Sequence, residues 1–224
     1  MNSDLACIIL AGGASSRMGT DKRRLQLWGD HGPNLLEHVL AIAGRLCHER
    51  IIVLNDPAQW PQLDAHMVAD AYPGTGPLGG VASGLAAMAS QRALVLACDM
   101  PLLRVELLQG LIEASPGYDV TLPLRHREPD GPRNHFAVEP LLAVYARSCL
   151  SIIEDYLQRG ERRMIAPLAE LRVNTIAPDV WQAWDTHGRS FLNLNRPGDI
   201  ELLAAQSKDA PTERLYPMLL TPDS

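Results

Sequence analysis

Short apolar runs alternate along this chain with longer segments in which apolar residues return every third or fourth position. The runs at 5–10, 50–54, 93–97 and 118–122 read as buried strands, and fainter strand patterns occur at 172–175 and 191–194. Between the first two runs, Leu35, Leu36, Val39, Leu40, Ala43, Leu46 and Cys47 form one stripe at helical spacing, and Pro33 suits the first turn of that helix. Further helices are expected over 79–89, 104–114, 148–159 and 197–206. Strands alternating with helices are the signature of an α/β sheet.

Two segments break the alternation. Residues 124–135 are charged and rich in proline and glycine, which predicts an exposed loop on the substrate side of the sheet or a flap. After Gln206 the periodicity is lost, so the expected organisation is one domain over 1–206 and a poorly ordered tail over 207–224, with 215–220 apolar enough to dock on the body or a partner.

Composition narrows the function classes. A length of 224 residues suits one large α/β domain or two small ones, and the formal net charge of −6 with no block of basic residues argues against nucleic acid or an anionic membrane as partner. Cys7, Cys47, Cys98 and Cys149 lie far apart inside apolar runs with no Cys-x-x-Cys spacing, the pattern of reduced core residues in a cytoplasmic protein rather than a zinc site. There is no signal-peptide pattern and no apolar run long enough to span a bilayer.

The chemistry begins where the first strand run enters Leu-Ala-Gly-Gly-Ala-Ser-Ser-Arg-Met-Gly-Thr-Asp-Lys at 10–22. Gly12 and Gly13 carry no Cβ, so main-chain N–H groups there can approach phosphate oxygens, while Arg17 and Lys22 add two cations. A polyphosphate, hence a nucleotide, is the expected ligand. The spacing matches neither a P-loop nor the Gly-x-Gly-x-x-Gly dinucleotide fingerprint. Asp99 follows the run 93–97, at the strand end where ligands of open α/β sheets collect, and can bind Mg²⁺ there or cap the next helix. The glycine-rich stretch 72–80 can press against a planar base or ribose, with Asp70 upstream to accept hydrogen bonds, or form a long turn. Asn55 ends the second run as a ligand residue or a simple turn residue. Asn193 and Asn195 share one side of the last strand pattern, although Asn195 ahead of Pro197 is also a good helix cap.

Taken together, the motif at 10–22, Gly-Pro-Leu-Gly-Gly at 76–80, Cys-Asp-Met-Pro at 98–101, Glu-Pro-Leu at 139–141, Gly-Glu-Arg-Arg at 160–163 and Asn-Leu-Asn-Arg-Pro-Gly-Asp at 193–199 resemble the molybdenum cofactor guanylyltransferases. The resemblance runs from 5 to about 203. It implies a Rossmann-like three-layer nucleotidyltransferase domain with a mixed, mostly parallel sheet. It also implies transfer of GMP from GTP to the phosphate of molybdopterin or Mo-molybdopterin, with release of pyrophosphate, and delivery to recipient molybdoenzymes or their chaperones.

By the same resemblance, Leu10, Ala11, Gly12, Gly13, Lys22, Asn55, Asp70 and Asp99 bind GTP, Asp99 holds Mg²⁺, and 77–80, with Gly79, belongs to a guanine-reading segment. Arg17, Lys22 and Asp99 are the expected catalytic residues. The acceptor is expected around 124–135, Arg162, Arg163 and the Asn193/Asn195 pair. Arg196 stands where the family usually has Thr, and Gly79 where Ala is frequent. The alternatives are a nucleotidyltransferase for another phosphorylated acceptor, by a molybdopterin cytidylyl or sugar-phosphate reaction, and a non-catalytic accessory protein that binds cofactor in the same cleft.

Overall fold

The computed structural model describes residues 2–12, 21–26, 32–126, 136–195 and 198–199. Strands β1 (Asn2–Leu10), β2 (Cys47–Val53), β3 (His66–Val68), β4 (Arg92–Ala97), β5 (Val120–His126), β6 (Phe136–Val138), β7 (Leu142–Ala146) and β8 (Val173–Ile176) form one sheet. Its order is β3-β2-β1-β4-β7-β5-β6, with β8 paired to β5. Strands β1 to β4 are mutually parallel, β7 runs antiparallel to both β4 and β5, and β8 is parallel to β5. The sheet is thus mixed around a parallel core.

Helices α1 (Leu35–Gly44), α2 (Pro77–Ala87), α3 (Val105–Glu113), α4 (Cys149–Gln158) and the short α5 (Pro178–Trp181) complete the layers. Because neighbouring strand residues point to opposite faces, β1 feeds two cores at once. Leu5, Cys7 and Ile9 pack with Leu36 and Val39 of α1 and Leu107 and Leu111 of α3, whereas Ala6 and Ile8 pack with Val81 and Leu85 of α2 and Ile153 of α4. Burial on both faces is why the first run is apolar without alternation. On the second face, Gly84 lets α2 approach the sheet: a methyl there would collide with the Ile8 side chain.

The elements differ from the sequence reading at specific places. The stripe 35–47 does not stay helical: α1 ends at Gly44, and Cys47 already opens β2, three residues earlier than the run at 50–54 suggested. Pro33 lies ahead of the helix rather than in its first turn. Asn34 is the cap, accepting from Glu37 N at 3.0 Å, while Glu37 returns a carboxylate to Asn34 N at 2.9 Å. The chain turns at 115–118, with Tyr118 N donating to the Ser115 carbonyl at 3.2 Å, so β5 begins at Val120 rather than at Tyr118. Residues 124–126 belong to β5 rather than to a loop, and the remainder of the expected flap, 127–135, lies outside the described residues. The segment 191–194 is not a strand, because Arg189–Phe191 is one turn of 3-10 helix and the chain then runs past the sheet edge. The expected helix 197–206 lies outside the described residues except for 198–199, as does the expected tail.

All four cysteines are buried and free. Among the described residues no helix is long and apolar enough to cross a membrane.

One buried base makes the fold pH-sensitive. His38 of α1 donates Nε2–H to the Pro101 carbonyl at 2.9 Å, and burial pushes its pKa down to about 4 from an ordinary 6.5. The unfolded chain therefore takes up a proton that the folded chain refuses. His38 stabilises the fold fully above pH 6.5, and that share is lost as pH falls towards 4. The gap corresponds to about 3 kcal/mol at most. Urea midpoints measured between pH 7.5 and 4 should fall more steeply for the natural protein than for His38→Gln; parallel curves would remove His38 as the source.

Candidate active site

The carboxyl ends of four neighbouring strands stop on one line. Leu10 of β1 is in register with Val53 of β2 and Ala97 of β4, and Val53 is in register with Val68 of β3. The backbone carries this alignment one residue further, through Leu54 N to Val68 O at 3.0 Å, Ala11 N to Val53 O at 2.9 Å and Cys98 N to Leu10 O at 3.1 Å. Two positions beyond each strand end stand Asp70, Asn55, Gly12 and Asp99, in sheet order. The polar candidates therefore form a row along the edge where an open α/β sheet binds its ligand.

At the β3 end of the row, Asn55 Oδ1 accepts from Asp70 N at 3.3 Å, and its Nδ2 lies on the side of Gly12. Asp70 Oδ1 accepts from Tyr72 N at 2.9 Å and from Ser83 Oγ at 3.1 Å, fixing the start of the glycine-rich turn. Gly79 has a steric reason to differ from alanine. A methyl there would meet Thr75 Oγ1 and stand 2.9 Å from the Tyr72 carbonyl oxygen. The turn folds back onto the first residues of α2, and only hydrogen fits at the contact.

At the other end, Lys22 reaches across 77 residues of sequence to place Nζ 2.7 Å from Asp99 Oδ2. Asp99 does not cap α3. That cap is Arg104, whose N–H donates to Ser190 Oγ at 2.9 Å. Asp99 Oδ1 is buried and has no hydrogen-bond partner among the described residues. A hard oxygen with free lone pairs is the ligand Mg²⁺ prefers, and Mg²⁺ commonly takes only one or two carboxylates together with substrate phosphates.

The chain 192–195 passes directly over this end, with Leu194 N donating to the Asp99 carbonyl at 2.9 Å. Asn195 Oδ1 lies 3.5 Å from Lys22 Nζ, and Asn195 N donates to Asp199 Oδ2 at 2.7 Å, so Asn195 both faces the lysine and begins the next segment. Asn193 Oδ1 is buried and has no hydrogen-bond partner among the described residues. Gly13 and Arg17 lie outside the described residues. Arg162 and Arg163 are exposed, and Arg163 clasps its neighbour Glu161, with Nη2 at 2.6 Å. No hydrogen bond or ion pair joins either arginine to Lys22, Asp99, Asn193 or Asn195 among the described residues.

Two charged residues given no role from sequence also lie at this edge. Glu139 precedes β7, in a turn where Leu141 O accepts from Ala97 N at 3.1 Å, and is nearly buried. Burial pushes its carboxyl pKa up, Arg125 at 3.3 Å opposes that shift, and Asp99 adds to it. Arg23 sits behind the row, bonded to Asp21, Asp56 and the Ala11 carbonyl. The Glu-Pro-Leu motif marked Glu139, but no local pattern distinguished Arg23 from its neighbour Arg24. Cys98, beside Asp99, is no nucleophile, since burial pushes its thiol up to about 12.

Residues 7–173 match the family model described as "MobA-like NTP transferase domain". A protein of Chloroflexus aggregans named "Probable molybdenum cofactor guanylyltransferase" is 45% identical, over 88% of this chain and 92% of that protein. One of the same name from Pelotomaculum thermopropionicum is 31% identical over 93% and 96%. Among solved structures, the molybdopterin-guanine dinucleotide biosynthesis protein A of Archaeoglobus fulgidus superposes with a TM-score of 0.74 at 27% identity, covering 91% of this chain and 99% of that one. The edge that carries Lys22 and Asp99 is thus built on a fold and sequence shared with these enzymes, and the chain belongs to the MobA-like NTP transferase family.

Proposed function

We propose that this nucleotidyltransferase transfers GMP from GTP to the terminal phosphate of molybdopterin and releases pyrophosphate. The observation that carries the reaction is the Lys22–Asp99 pair, a cation and a half-satisfied carboxylate at the aligned strand ends. The choice of substrates rests on the guanylyltransferase names of the relatives.

The acceptor phosphate is already an anion, so its attack on the α-phosphorus needs alignment and charge neutralisation more than a base. Asp99, through Oδ1, would hold Mg²⁺, which when bound supplies positive charge to the nucleotide phosphate oxygens. Lys22 supplies a point charge to the α-phosphate region as charge builds there. Gly12 keeps the backbone open to the phosphates, with Gly13 and Arg17 assigned to the same task. Asn55 and Asp70 serve the nucleoside. Asp70 Oδ1 is already committed to the turn, so any ligand hydroxyl falls to Oδ2. Asn195, beside Lys22, belongs where nucleotide and acceptor meet. Among the described residues no hydrogen bond or ion pair links Arg162 or Arg163 to that point, and both stay assigned to the acceptor.

Pyrophosphate release from purified protein with Mg²⁺, GTP and molybdopterin tests the reading directly. Calorimetric titration should show GTP binding tighter than CTP or ATP by about 10²-fold or more, because a site built for one base edge strands its own polar groups on another. Equal affinity for CTP would move the assignment to a cytidylyl reaction.

A further inference from the structure

We propose that Arg23 is a positioning residue for the transfer step, acting through Lys22. The guanidinium uses every donor it has. Nε lies 2.8 Å from Asp21 Oδ1, Nη1 lies 3.1 Å from the Ala11 carbonyl and 2.6 Å from Asp56 Oδ1, and Nη2 lies 2.8 Å from Asp21 Oδ2 and 2.7 Å from Asp56 Oδ2. These partners belong to three separate segments, two at strand ends and one at the turn that carries Lys22. Ala11 follows β1, Asp56 follows Asn55 beyond β2, and Asp21 caps the single 3-10 turn Lys22–Arg24. The side chain is 13% exposed, and its pairing holds the Asp21 and Asp56 carboxyls below their ordinary range.

The consequence is geometric. Lysine has a long, flexible stem and a point charge, so its catalytic position depends on where its backbone is anchored. The turn carrying Lys22 has no buried side chain. It is fastened instead by the planar fork of the next residue, which makes bidentate bonds to a carboxylate on either side. Arg24 adds only a looser contact to this clamp, its Nε 3.8 Å from Asp21 Oδ2. Its guanidinium lies over the Trp60 ring at 4.4 Å and bonds to Gln59. The inference rests on Lys22 acting on the transferred phosphate.

The test is a double-mutant cycle on kcat in the GTP and molybdopterin reaction, with thermal midpoints measured alongside. Arg23→Ala should lower kcat about 10- to 100-fold, the range expected for a displaced catalytic group. In a Lys22→Ala background the same change should cost less than about threefold, since a positioning effect vanishes with the group positioned. Asp56→Asn loosens the clamp from its far side with less risk to folding, and should show a smaller loss with the same dependence on Lys22. Arg24→Ala, which removes only the longer contact to Asp21 and leaves both bidentate bonds of Arg23, should cost less than about twofold. Equal losses from Arg23→Ala or Asp56→Asn with and without Lys22 would overturn the proposal and leave the Lys22 assignment standing. Full activity of Lys22→Ala alone would overturn both.

Discussion

Asp99→Asn is expected to lower turnover by about 10³-fold or more while leaving the fold intact. The substitution preserves shape and removes the charge. In the natural protein one carboxylate oxygen accepts from Lys22 at 2.7 Å and the other is buried without a partner among the described residues. An amide must present NH₂ in one of these two places, towards the lysine or towards a bound cation, and either is repulsive. The ion pair is 15–16% exposed at both ends, so its loss should destabilise by no more than about 2 kcal/mol. Turnover measured against Mg²⁺ concentration, with urea midpoints as a control on folding, checks the result. Activity like that of the natural protein at every Mg²⁺ concentration would remove Asp99 from the mechanism.

Lys22→Ala should lose about 10²–10³ in kcat, the cost of deleting one donor aimed at charge that develops in the transition state. The KM for GTP should change far less, because Lys22 is already engaged by Asp99 in the structure and binds little that the resting site lacks. Lys22→Arg should not restore activity. A planar fork cannot reproduce a compact ammonium at the end of a stem anchored one residue from Arg23. Steady-state kinetics of the three proteins separate the cases, and a defect confined to GTP affinity would make Lys22 a ground-state binding residue.

The sequence alone determined the elements whose reasons are local. The run 5–10 could be read as a buried strand because β1 is enclosed on both faces, and α1 announced itself by its apolar stripe, although Pro33 was placed in its first turn where Asn34 is the cap. Gly12, Asn55 and Asp99 follow apolar runs and stand out as candidates because strand ends carry ligands in this class of fold, whereas Asp70 stands out only by its place ahead of the glycine-rich stretch.

Other features depend on which strand lies beside which, and apolar patterning records burial without direction or neighbour. The segment 142–146 is apolar enough for a strand, yet nothing local places it antiparallel between β4 and β5, or brings the preceding Glu139 to the edge beside Asp99. β3 has only three residues and half-buried sides, too little for period-two alternation to register. The order of the row from Asp70 to Asp99, the meeting of Lys22 with Asp99 and the clamp at Arg23 are products of register and long-range packing. Local chemistry selected the residues; only the tertiary structure could decide which of them share a site, because contact across many residues depends on strand pairing that no short window of sequence contains.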